Sequence, residues 1–188
     1  MKCKKPLRQG GFSLIELMVA LTILGVLASF AAPSFVSFQR NSELTSATNK
    51  LLGAINTARS EAMKTGRNAY VIPASGTDWS TGWRVYVDLD GSGSYSDTSD
   101  ALVLTERAPP SYISVALAGT ATSLGFNSSG YARDASGNLL NTVMTIRRTD
   151  TSTASANEET RRIVVALTGR SRACKPSTDT SCTTSAAN

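Results

Sequence analysis

The sequence predicts an α+β protein: one long N-terminal helix followed by antiparallel sheets. Three observations carry this reading. Residues 12–32 form a predominantly apolar run with a single charged residue, Glu16. Residues 34–64 repeat apolar side chains at spacings of three and four, the period of an amphipathic helix. From residue 67 onward, short stretches rich in β-branched and aromatic residues alternate with Gly, Ser, Asn and Asp, the pattern of strands and turns. Strands that follow one another without intervening helices pair antiparallel. The 188 residues suffice for one domain with a core of its own.

The chain opens on Lys2, Lys4, Lys5 and Arg8, and the apolar run then extends from Phe12 to Ala32. At 1.5 Å per residue this is about 31 Å of helix, the thickness of a bilayer's hydrocarbon core. The preceding cations set the N-terminus on the cytoplasmic side of a membrane. A secretory signal cleaved near Ala31-Ala32 and a plain membrane anchor both fit the run. Neither accounts for Glu16, because a carboxylate in hydrocarbon costs at least a few kcal/mol and needs a partner. Gly11-Phe12-Ser13-Leu14-Ile15-Glu16 resembles the processing site of type IV prepilins and type II secretion pseudopilins. The resemblance implies that a prepilin peptidase cuts between Gly11 and Phe12, that the new Phe12 amine is methylated, and that Glu16 neutralises the amine of a neighbouring subunit. A buried cation and a buried anion relieve each other's desolvation cost. The resemblance further implies other pilin subunits as partners and a single pass through the inner membrane. The C-terminal domain would lie in the periplasm, and later in a pilus or at the cell surface. Pro33 falls where many family members carry a helix-loosening proline, and Phe35 and Phe38 continue the filament-core part of the helix.

In the second helix Leu44, Ala47, Leu51, Ala54 or Ile55, Ala58 and Ala62 form the apolar stripe, which packs against a sheet. Lys64 suits the last turn and Gly66 the position after it. Strands are expected over 68–72, 83–88, 101–106, 112–117, 123–126, 143–147 and 163–167, with loops at 127–138 and 149–160. The organisation is a leader over 1–11, a membrane and filament helix over 12–33, an amphipathic helix over 34–66, a β-rich domain over 67–174 and a polar tail over 175–188. The segment from Gly82 to Asp88 is similar to a stretch common in the GspH/FimT branch of the pilin superfamily.

The absence of histidine removes the commonest general base and metal ligand, and there is no Walker loop or metal-ligand cluster. No enzymatic activity, cofactor or metal is therefore assigned. The run from Asp88 through Asp90 to Ser94 begins like a calcium loop, but Ser99 stands where the twelfth-position glutamate belongs. Asp97 and Asp100 remain as contributors to that alternative, while the Asp-Gly and Ser-Gly pairs are hairpin chemistry; the reading adopted is a turn. Cys3 lies in the basic leader, which leaves Cys174 and Cys182 as a candidate disulfide in an oxidising compartment.

The net charge of +5 is mostly the leader's +4. What remains is polarised. Residues 78–106 hold six acids against Arg84, and residues 107–188 hold nine bases against five acids. Gly169, Arg170, Arg172 and Lys175 follow an apolar strand. In extended backbone Arg170 and Arg172 share a side and form a cationic pair suited to phosphates. Arg161, Arg162, Arg147 and Arg148 at strand edges widen the patch, and a Cys174–Cys182 bridge would pin it, contributing about 2.6 kcal/mol in the chain-entropy model. Gly169-Arg170-Ser171-Arg172 matches the Gly-Arg-x-Arg element of FimT-type minor pilins. That resemblance implies non-specific DNA binding for uptake in natural transformation. The alternative is a structural minor pilin, or a GspH-like type II secretion pseudopilin, that acts in filament assembly without DNA.

Overall fold

A computed structural model of the protein describes Gly11, residues 13–151 and residues 155–183. The leader up to residue 10, Phe12 and the tail beyond 183 lie outside the described residues. The order of elements is α1 (Leu14–Thr65), β1 (Ala69–Ser75), β2 (Asp78–Val87), β3 (Ala101–Arg107), β4 (Ile113–Leu117), β5 (Leu124–Phe126), β6 (Ala132–Arg133), β7 (Thr142–Arg148), β8 (Thr160–Val165) and β9 (Ser171–Cys174). Every strand pairing is antiparallel. The α+β class read from the sequence is the class observed.

The two helical segments expected from the sequence are one 52-residue helix that continues through Pro33. The chain divides into two units, residues 1–40 and residues 41–188. In the first, the large apolar side chains described from Leu14 to Leu27 are all exposed. Among the described residues no helix is long and apolar enough to cross a membrane. The expected span begins at Phe12, outside those residues.

The second unit holds the core. The predicted stripe, Leu44, Ala47, Leu51, Ala54, Ile55, Ala58 and Ala62, is buried throughout. Thr48 sits in the same stripe and returns its hydroxyl to the Leu44 carbonyl at 2.8 Å, so its burial leaves no polar atom bare. Gly66 ends the helix at φ +70, its N–H donating to the Ala62 carbonyl at 3.0 Å. The helix packs on two sheets, ordered β3-β2-β1-β5-β6 and β4-β7-β8-β9. Val71, Trp83, Val85 and Phe126 from the first sheet and Val115, Met144, Ile146 and Ile163 from the second join it in one apolar cluster.

The structure departs from the expected elements where side-chain composition misleads. β2 begins at Asp78 rather than at residue 83, because Ser75 pairs with Asp78 across a tight turn at Gly76-Thr77. β8 begins at Thr160 and stops at Val165, so Arg161 and Arg162 are strand residues and Leu167 belongs to a turn. β6 and β9 are polar and short, and their composition gave no strand signal.

Candidate nucleic-acid interface

The hairpin joining β8 to β9 presents the arginines. The Ala166 N–H donates to the Arg170 carbonyl at 2.9 Å, and the Gly169 N–H to the Ala166 carbonyl at 2.8 Å. Gly169 takes φ +77, the left-handed position that ends such a three-residue loop. A Cβ there would collide with the Gly130 carbonyl. Arg59 of α1 explains the tight fit. Its Nε donates to the Gly130 carbonyl at 3.1 Å and its Nη2 to the Thr168 carbonyl at 3.2 Å, while the Ala132 N–H donates to the Leu167 carbonyl at 3.0 Å. One guanidinium thus fastens the hairpin tip to the helix and to the 127–131 loop. Neither Arg59 nor Gly130 was identifiable from the sequence, since both act through backbone groups far away in the chain.

Arg170 and Arg172 line one open cavity of about 570 Å³, together with Val164, Leu167 and Ser181. Arg170 is exposed, and among the described residues no hydrogen bond or ion pair holds its guanidinium. Arg172 is held. Its Nη1 donates to Asp179 at 2.9 Å, and its Nη2 to the Ser181 hydroxyl and carbonyl at 3.0 and 3.1 Å. Asp179 and Ser181 ride on the loop closed by the Cys174–Cys182 disulfide, with 5.8 Å between Cα atoms. Hydrogen bonds from Ser181, and then from Arg172, hold the Asp179 carboxyl below its ordinary range. Lys175 pairs with Glu158, and Arg162 donates to the Cys182 carbonyl.

The two Arg-Arg dipeptides do not act as pairs. Neighbours along a strand point to opposite faces. Met144, Ile146, Ile163 and Val165 face the core, so Arg147, Arg162 and Arg172 project from the other face, aligned through the registers Thr145↔Arg162 and Val164↔Arg172. Arg148 and Arg161 fall on the core side, and the widened patch expected from them is corrected on this ground. The Arg148 side chain is 6% exposed and fills its fork with Asp150 at 2.9 and 3.1 Å and Glu159 at 3.0 Å. Those carboxylates, Asp150 first, raise its pKa. Arg161 donates to the Asn41 side chain at 2.7 Å and to the Glu158 carbonyl at 2.9 Å, and burial lowers its pKa.

At the other end of the chain Gly11 is exposed and Phe12 lies outside the described residues. Ser13 accepts the Glu16 N–H at 3.2 Å on its hydroxyl and the Leu17 N–H at 3.2 Å on its carbonyl. It is the N-cap of α1, and Ser13-x-x-Glu16 carries the spacing of a capping box. The spacing is legible in the sequence as a helix start. The helix therefore begins within two residues of the expected cut, and the Glu16 carboxylate belongs to its first turn, where the helix dipole favours negative charge.

Residues 47–169 match the family described as Type II transport protein GspH, and residues 6–32 match the prokaryotic N-terminal methylation motif. The chain belongs to the GspH family. A fimbrial protein of Pseudomonas aeruginosa is 33% identical to this GspH-family chain over 87 residues, 45% of this chain and 55% of the relative. The type IV major pilin protein PilA of Myxococcus xanthus is 46% identical over 44 residues, 23% of this chain and 20% of the relative. The chain thus spans about half the length of the first relative and a fifth of the second. The type IV minor pilin FimU of Pseudomonas aeruginosa superposes with a TM-score of 0.57 at 17% identity, over 74% of this chain and 94% of that one. The GspH-family fold is therefore type IV pilin-like.

Proposed function

We propose that this chain is a minor pilin whose exposed β8–β9 hairpin binds DNA non-specifically through phosphates. The observation that carries the reading is Arg170, an exposed guanidinium without a side-chain partner among the described residues, placed beside Arg172 on one cavity. Two such forks suit successive backbone phosphates. Arg147 and Arg162 on the same face, and Lys175, extend the positive field. Few phosphate contacts give micromolar or weaker affinity that falls steeply with salt and ignores sequence. Capture of a long DNA would rely on several copies. In this proposal the prepilin peptidase cuts after Gly11, the Phe12–Ala32 helix anchors the chain in the inner membrane, and the disulfide reflects an oxidising periplasm. Pilin subunits are then its partners through that helix.

The test is fluorescence anisotropy of a labelled duplex with the full-length chain in neutral detergent. Arg170→Gln with Arg172→Gln is expected to weaken binding at least about tenfold and to lower the salt slope by roughly two. Unchanged binding in that variant sinks the hairpin's role. A second reading, an assembly subunit of a pilus or of type II secretion without DNA, is favoured by the family match and by the internal pairing of Arg148, Arg172 and Lys175. A gene deletion separates the two. Loss of transformation with normal pili supports DNA capture, whereas loss of pili or of enzyme export supports assembly.

A further inference from the structure

The cavity beside the β8–β9 hairpin is larger and more apolar than phosphates alone require. Its volume of about 570 Å³ lies in the range of small-molecule sites. A phosphate needs only the guanidinium forks, and these belong to Arg170 and Arg172. Much of the remaining lining comes from Val164, Ala166 and Leu167. Val164 stands between the core-facing Ile163 and Val165, so it projects from the same face as Arg162 and Arg172. On that polar face it is only 8% exposed. Exposure grades from the buried Val164 through the half-buried Leu167 to the open Arg170. The cavity thus joins an apolar floor to a cationic rim.

Intact duplex DNA cannot fill such a hollow. Its bases are paired and stacked inside the helix, and its outermost surface is charged backbone. An unpaired base can turn aside from the backbone, lay a flat face against aliphatic side chains and stack on a guanidinium plane. Arg170 has the freedom for that role, because among the described residues no hydrogen bond or ion pair holds its guanidinium. Arg172, braced by Asp179 and Ser181, keeps its own place in the lining.

We infer that this cavity seats one unpaired nucleobase, so that the hairpin prefers single-stranded DNA to duplex. The inference rests on the phosphate-binding reading above and specifies which form of DNA meets it best. The seat accepts any base. Val164, Ala166 and Leu167 carry no hydrogen-bonding groups on their side chains. The tip's carbonyls are also engaged: Ala166 accepts from the Gly169 N–H, Leu167 from the Ala132 N–H, Thr168 from Arg59 and Arg170 from the Ala166 N–H. Little is left there to read a base edge, and binding stays independent of sequence.

Phosphate contacts alone predict the opposite order. Each phosphate neutralised on a duplex releases more counterion than one on a single strand, which favours the duplex. Anisotropy of three labelled probes of equal length separates the two, using the full-length chain in neutral detergent at one salt concentration. The probes are a mixed-sequence single strand, its duplex, and an abasic strand that keeps only sugars and phosphates. The single strand is expected to bind about threefold to tenfold more tightly than the duplex, and the abasic strand to lose that margin. Leu167→Ser removes apolar lining and leaves every arginine in place. It should weaken the single strand about threefold and keep duplex affinity within about twofold. If its Tm shows that the variant is unfolded, the abasic comparison decides alone. A duplex bound as tightly as the single strand, an abasic strand bound as tightly as the normal one, or a folded Leu167→Ser with undiminished single-strand affinity overturns the base seat and leaves the phosphate reading standing. Failure of all three probes to bind removes both.

Discussion

Arg172 already has the contacts it would offer a phosphate, because Asp179 and Ser181 occupy its fork. A DNA phosphate must displace that carboxylate or share the guanidinium with it. Asp179→Asn removes the competing charge and keeps the shape. Duplex affinity is expected to rise about threefold to tenfold, read by anisotropy at fixed salt; an unchanged or weaker affinity would mean that Arg172 is a brace and not a contact. Gly169 is the complementary case, a residue set by packing. Its left-handed backbone and the Gly130 carbonyl against it leave no room for a methyl group. Gly169→Ala should cost about 2–3 kcal/mol in chemical denaturation, whether or not DNA is present.

The disulfide loop and the β8–β9 hairpin behave as one piece, since the bridge holds Asp179 and Ser181 over Arg172. Cys174→Ser with Cys182→Ser is expected to lower stability by about 2–3 kcal/mol, measured by urea unfolding. The first link of this piece was readable beforehand, because two cysteines in the domain had few other partners. The rest was not. Asp179 and Ser181 lie in a polar tail that has no periodicity to read, and their role appears only once the bridge folds them back. The helix stripe was legible from Leu44 to Ala62 because a 3.6-residue period is strong over so long a segment. The Arg-Arg dipeptides misled for the opposite reason: composition counts both charges, whereas a strand's period of two sends one of each pair inward. Asp97 and Asp100 stand alike in the sequence as companions of Asp88 and Asp90, and only the closed loop shows that Asp100 is the one that comes close to them.

The protein as a whole carries no histidine, so no side chain in it titrates by its ordinary pKa near neutrality. The acids around the hairpin titrate lower. Glu158 is drawn down by Lys175, and Asp179 by Ser181 and then Arg172, from ordinary values of 4.5 and 3.8. A carboxyl that is more acidic folded than unfolded stabilises the fold above its unfolded pKa and loses that contribution as pH falls through its folded pKa. Stability and DNA affinity should therefore both be flat from about pH 6 to about pH 8, and the Tm should fall below about pH 4.5. A pH-dependent affinity in the neutral range would point to a titrating group elsewhere. The placement of Arg59 has a mechanical consequence. Because its guanidinium ties α1 to both the Gly130 and Thr168 carbonyls, the arginine tip is anchored to the helix directly as well as through the sheet it grows from, and a displacement of that helix segment would carry the tip along.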